Sequence, residues 1–168
     1  MLGLPSLYGM LKPGEFARIA RRFPRSTPVG WVLTLLATAW FLYYVSLEDV
    51  ADFKSMKPFL YMLFGAVGLG ACVYVQDYLP VRGLAVLLLL CAKLIVDTAR
   101  LQASDWRLVL VTLAYVWVFA GMWLTISPWR LRDLIQWSTA SESRTRAVNG
   151  LRLAFAVLVV ALGLTVYR

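Results

Sequence analysis

The sequence predicts an all-α polytopic membrane protein, with five transmembrane helices plus two short basic amphipathic surface helices. Three observations carry that expectation. Of 168 residues, 61% are hydrophobic and only 15% charged, with a mean hydropathy of +0.71, whereas ordinary soluble domains carry about 25% charge. Apolar stretches recur at lengths close to the roughly 20 residues that cross about 30 Å of hydrocarbon. Lysine and arginine concentrate on alternate connecting segments, the pattern of chains threaded repeatedly through a bilayer.

Residues 1–29 read as a cytoplasmic N-terminal segment and 30–168 as a single transmembrane domain. The first segment holds Pro5, Pro13, Pro24 and Pro28 and lacks an uninterrupted apolar core followed by a small-residue cleavage site, so a cleaved secretory signal is not expected. Within it, GEFARIARRF puts Phe16, Ile19, Ala20 and Phe23 on one side of a helix and Glu15, Arg18, Arg21 and Arg22 on the other. That pattern suits a helix lying in the membrane surface with arginines toward anionic lipid phosphates. A solvated basic segment that only sets topology fits the same residues.

The first span, 30–47, opens at Trp31 and closes on Tyr43 and Tyr44, amphipathic aromatics suited to the two interfaces. After a charged loop containing Glu48, Asp49, Asp52, Lys54 and Lys57, Pro58 suits the first turn of the second span, 59–76. That span offers Ala66 with Gly70, or Gly68 with Cys72, as small residues four apart that would admit a neighbouring backbone. A Pro- and Gly-containing turn at 77–83 leads to the third span, 84–101, and a second turn at 102–106 to the fourth, 106–126. Ser127 and Pro128 then begin a second in-plane helix, 128–137, with Leu131, Leu134 and Ile135 on one side and Arg130, Arg132 and Asp133 on the other; Trp129 and Leu134 would enter the lipid surface or a partner. Residues 138–146 read as a polar loop, and 148–167 as the fifth span, with Gly150 and Ala154 as another small pair.

Orientation follows from counting. One set of segments carries Lys12, Arg18, Arg21, Arg22, Arg25, Arg82, Arg130, Arg132, Arg144, Arg146 and Arg152; the other carries Lys54, Lys57, Arg100, Arg107 and Arg168. The richer set belongs inside, giving a cytoplasmic N-terminus and a periplasmic C-terminus.

The polar feature that needs explaining is Lys93, Asp97 and Arg100, spaced i, i+4 and i+7 in the third span. An ionised group at membrane depth costs at least about 2.5 kcal/mol on insertion scales, so such residues face a partner, a pathway or each other. Two readings stand: a proton or ion relay or a polar contact with a substrate or subunit, and a self-paired couple that snorkels to the outer interface and fixes the helix's depth. The charge-free centres of the other four spans and the placement of Pro58, Pro80 and Pro128 at helix ends argue against a secondary transporter.

Histidine is absent, which removes the commonest haem and zinc ligand and the usual near-neutral proton carrier. No nucleotide-binding glycine loop, metal-ligand cluster or paired-carboxylate motif occurs, so no cofactor or metal is expected. Cys72 and Cys91 sit in apolar runs as small hydrophobes. An enzyme is the least expected class, its remaining form being a lipid-modifying enzyme using Asp97.

The stretches VFAGMWLTISPWRLRDLIQW and RAVNGLRLAFAVLVVALGL, within residues 108–168, resemble the YjeT-like family of very small bacterial inner-membrane proteins through Pro128, Trp129, Arg130, Arg152 and Gly163. The resemblance implies a bacterial inner membrane and an accessory role beside larger complexes; the three additional spans and the Lys93 stripe depart from it. The resulting expectation is a non-catalytic accessory or assembly subunit whose partners are other integral membrane proteins and anionic lipids, with no nucleic acid and with homo-oligomerisation left open. The alternative is a small oligomeric channel or transporter using Lys93 and Asp97.

Overall fold

The computed structural model describes residues 3–47, 56–100 and 107–165, and every regular element among them is helical. In chain order these are α1 (Gly3–Leu11), α2 (Pro13–Arg22), a 3-10 turn (Phe23–Arg25), α3 (Thr27–Leu47), α4 (Lys57–Tyr74), α5 (Leu79–Arg100), α6 (Arg107–Ile126), α7 (Trp129–Ser138) and α8 (Glu142–Thr165). The chain is an all-α polytopic membrane protein.

Among the described residues four helices, α3 to α6, are long and apolar enough to cross a membrane, rather than the five expected. The fifth expected span falls on α8. That helix begins at Glu142, so Arg144, Arg146 and Arg152 share it with the apolar stretch, and its expected end at 166–167 lies outside the described residues.

The four helices stand in a row, α4–α3–α5–α6, and α5 is its most buried member, with 44% of its apolar stretch buried against 11% for α4. The register can be read from close approaches. Gly30 meets Leu79 and Pro80, Gly83 meets Thr34, and Tyr44 lies under Lys93, so α3 and α5 run parallel with a constant offset of about 49 positions. Thr38 meets Gly68, and Phe41 stacks edge-on against Phe64 at 4.8 Å, so α3 and α4 run antiparallel. Gly121 of α6 faces Ala85 and Leu89 while Leu124 packs with Val81 and Ala85, which makes α5 and α6 antiparallel as well.

That last contact explains a spacing in the sequence. Ala85, Ala92 and Ala99 recur every seven residues on α5 and are all buried, and Ala114 and Gly121 do the same on α6. Residues seven apart lie on one helix face, so two small stripes meet and the backbones approach closely. In α4 the packing pair is Gly68 with Cys72, the latter fully buried. Of the other expected packing residues, Ala66 is exposed, and a methyl group added at Gly70 would meet nothing within 4 Å.

Two loop expectations need correction. The turn expected over 77–83 is confined to 77–78: α5 starts at Leu79, because Pro80 is tolerated in a first helical turn and Gly83 serves helix contact instead. The reversal is concentrated in Tyr78, at φ 54°, the left-handed region that L side chains rarely adopt. Its carbonyl accepts the amides of Val81 and Arg82 at 2.9 and 3.1 Å, and its ring packs on a cluster of Val81, Ala85 and Leu124. Tyr78→Ala should therefore destabilise the protein more than Tyr78→Gly does. Both lose the ring, but only glycine removes a backbone cost of about 1–2 kcal/mol; equal thermal shifts for the two variants would contradict this. Likewise 138–146 is mostly helix, since α8 already starts at Glu142.

The N-terminal α1 has no clear signal in its glycine- and proline-containing sequence. It packs along α8, where Gly9 abuts the buried side chain of Asn149 and Met10 reaches Gly150. Ala154 of α8 is exposed.

Candidate functional site

Three polar arrangements are positioned by this fold. The first is the Lys93 stripe on α5. Lys93 Nζ lies 2.9 Å from Asp97 Oδ2, and the same ammonium sits 5.0 Å from the centre of the Tyr44 ring. The i, i+4 spacing makes the ion pair and the parallel α3–α5 register supplies the aromatic face. Both side chains remain nearly half exposed, at 40% and 46%. Arg100 is exposed at the end of the helix, and Ala99 beside it is buried.

The second arrangement is the platform formed by α2, α7 and the start of α8. Arg21 of α2 donates from Nε to Thr139 Oγ1 at 3.0 Å and from Nη2 to the Thr139 carbonyl at 2.7 Å. Arg144 donates to the Trp137 carbonyl at 3.2 Å with its guanidinium 5.3 Å from that indole. Both cations thus meet the C-terminal end of α7, where unpaired carbonyls and the helix dipole favour positive charge. Arg132 is held by Asp133 at 2.8 Å and donates to the Tyr78 hydroxyl at 3.3 Å; the Asp133 hydrogen bond is the main cause that raises its pKa. At the other end of the platform the Tyr8 hydroxyl donates to Glu15 at 2.7 Å, which, with Lys12 nearby, holds the Glu15 carboxyl below its usual range.

The sequence places two separate surface helices here, and the structure joins them through Arg21. Phe16 and Phe23 are half-buried, while Ile19, Trp129 and Leu134 are exposed at 60%, 46% and 50%, an apolar rim beside exposed Arg18, Arg22 and Arg130.

The third arrangement lies outside the sequence-based expectations. A cavity of about 280 Å³ lies between α3, α4 and α5, lined by Thr34, Thr38, Phe41, Phe64, Arg82 and Val86 among others. Thr38 returns its hydroxyl to the Thr34 carbonyl at 2.8 Å, as membrane-helix threonines commonly do. Thr34 Oγ1 and Arg82 Nε are buried without a hydrogen-bond partner among the described residues. The sequence signal for this site is Gly83 next to Arg82: a glycine on α5 that lets Thr34 come close also draws the arginine into the helix interface.

Among the described residues no three His, Cys, Asp or Glu side chains gather as a metal site, and Cys72 and Cys91 are unbridged thiols. The fold and these arrangements define a helical multi-pass membrane protein with a basic platform on one end. Comparison with protein-family models, curated proteins and solved structures found no match.

Proposed function

We propose that the chain is a non-catalytic accessory or assembly subunit of a larger bacterial inner-membrane complex, working through helix–helix and lipid-surface contacts, with its N-terminus cytoplasmic and, with α8 crossing as a fifth span, its C-terminus periplasmic. The observation that carries this reading is the open row α4–α3–α5–α6. A row of four helices has two broad faces and no enclosed interior, and large apolar residues such as Met62 on α4 and Phe119 on α6 stand more than 70% exposed. Such faces are covered by lipid or by other helices. The half-exposed Lys93–Asp97 pair beside Tyr44 adds a polar mark on one face that a partner helix can recognise. The basic platform supports the cytoplasmic assignment of that end.

The test is in-cell photocrosslinking at native expression level from Val96 beside the pair, from Met62 and from Phe119. The subunit reading expects one defined protein adduct from at least one position, lost in the Asp97→Leu variant when the adduct forms at Val96. Lipid adducts alone at all three positions would overturn it. An adduct of twice the 18.9 kDa chain mass, together with ion flux in proteoliposomes that Lys93→Leu/Asp97→Leu abolishes, would establish the oligomeric channel instead.

A further inference from the structure

We propose that the cavity between α3, α4 and α5 is a discrete binding site for one anionic phospholipid, with the headgroup phosphate on Arg82 and an acyl chain in the apolar groove. This goes beyond the subunit reading and does not depend on it.

The argument begins with Arg82. No carboxylate among the described residues lies within ion-pair distance of it; the ion pairs present are Lys12–Glu15, Lys93–Asp97 and Arg132–Asp133. Its Nε is buried and without a hydrogen-bond partner there. Buried polar groups in folded proteins are nearly always satisfied, and an unsatisfied one calls for a missing ligand, ion or water. A guanidinium presents its donors in a planar fork matched to phosphate oxygens, so an anion of that geometry completes it.

Thr34 makes the same demand from the opposite wall. The residue is only 9% exposed, lines the cavity, and its hydroxyl has no partner among the described residues. Its hydroxyl faces Gly83, the residue after Arg82.

The rest of the wall is apolar. Phe41 and Phe64 continue inward from Thr38, Ala71 lies level with Thr34, and Val67 and Val86, 59% and 39% exposed, form the rim. The opening therefore faces the surface that meets hydrocarbon, and an occupant arrives from the lipid. A second helix, about 10 Å across, is too wide for a volume of this size. Charge decides among lipids: Arg82 lies in the first turn of α5, at the end of the row where the basic platform also sits, and favours an anionic over a zwitterionic headgroup.

The experiment is native mass spectrometry of the full chain, purified in detergent, with added lipid. Dioleoyl phosphatidylglycerol is compared with dioleoyl phosphatidylcholine, with dihexanoyl phosphatidylglycerol and with inorganic phosphate. The wild type is expected to hold one dioleoyl phosphatidylglycerol per chain at least tenfold more tightly than any of the other three. Arg82→Gln should erase the preference for the anionic headgroup, Arg82→Lys should restore part of it, and Val86→Trp, which fills the groove from its rim, should weaken both long-chain lipids together. Equal retention of the two long-chain lipids by the wild type overturns the proposal, as does a preference unchanged in Arg82→Gln or binding matched by inorganic phosphate. Should Arg82→Gln fail to fold, the wild-type selectivity and the Val86→Trp result still decide it.

Discussion

Gly121→Val is expected to destabilise the protein by about 1–3 kcal/mol, the range for forcing extra volume into a tightly packed contact. A Cβ at Gly121 would stand 2.9 Å from Leu89 Cγ and 3.0 Å from the Ala85 carbonyl oxygen. The leucine can rotate, but the carbonyl belongs to the helix backbone, so α5 and α6 must move apart as units. Separation on that scale also disengages the alanine stripe, because Ala92 and Ala114 depend on the same close approach. Gly70→Ala is the control: a Cβ there meets nothing within 4 Å, and replacing glycine within a helix should stabilise it by about 0.5–1 kcal/mol. Mild-denaturant unfolding of the two variants in matched detergent reads the contrast. Similar midpoints would mean that the α5–α6 contact is not glycine-dependent.

That contrast also shows what the sequence does and does not disclose. Hydropathy and interfacial aromatics locate α3 to α6 to within a few residues, since hydrocarbon thickness fixes the length of any helix that crosses it. Spacing alone proposes both Ala66 with Gly70 and Gly68 with Cys72, and only the partner helix can choose between them: the face of α4 that meets Thr38 is the one bearing Gly68. Gly83 reads as a turn residue because a glycine three residues after a proline usually punctuates, whereas here its missing side chain admits Thr34. The same ambiguity conceals the cavity. In the sequence Arg82 is one more topology-setting cation; extending the helix back to Leu79 places it in the first turn, facing α3. By contrast the Lys93–Asp97 pair is legible, since an i, i+4 ion pair needs nothing but its own helix. Tyr44 as its third member is not, because that contact exists only in the parallel α3–α5 register.

The register places polar groups at both ends of one helix. Arg82 and Lys93 are eleven positions apart on α5, about 16 Å along the axis, and α3 answers each of them, with Thr34 at one end and Tyr44 at the other. The apolar middle, with Leu87, Leu90 and Ala92 buried, carries the α5 packing between them. The two ends differ in chemistry. At Lys93 the countercharge belongs to the same helix, whereas no carboxylate among the described residues pairs with Arg82.

Asp97→Leu should accordingly be the most damaging single change on the C-terminal half of α5. With α5 spanning the bilayer, the variant leaves Lys93 without its carboxylate while keeping its charge. Lysine at a helix centre costs about 2.5–3.5 kcal/mol on insertion scales, and Lys93 lies toward one end, so a loss of about 1–3 kcal/mol is expected. Tyr44 offsets a part of this, since a cation over an aromatic face contributes about 0.5–2 kcal/mol. Removing both charges in Lys93→Leu/Asp97→Leu should return stability close to that of the wild type, because an apolar pair needs no compensation. Unfolding midpoints for the two single variants and the double variant close a thermodynamic cycle whose coupling term isolates the pair. Exchanging the residues, Lys93→Asp with Asp97→Lys, then separates geometry from recognition. An intrahelical pair tolerates the exchange in stability, yet a partner that reads the ammonium beside Tyr44 loses it, so a stable exchanged variant that no longer crosslinks from Val96 would place the partner on this face. A harmless Asp97→Leu would show instead that Lys93 reaches the headgroups without help and that its carboxylate is incidental.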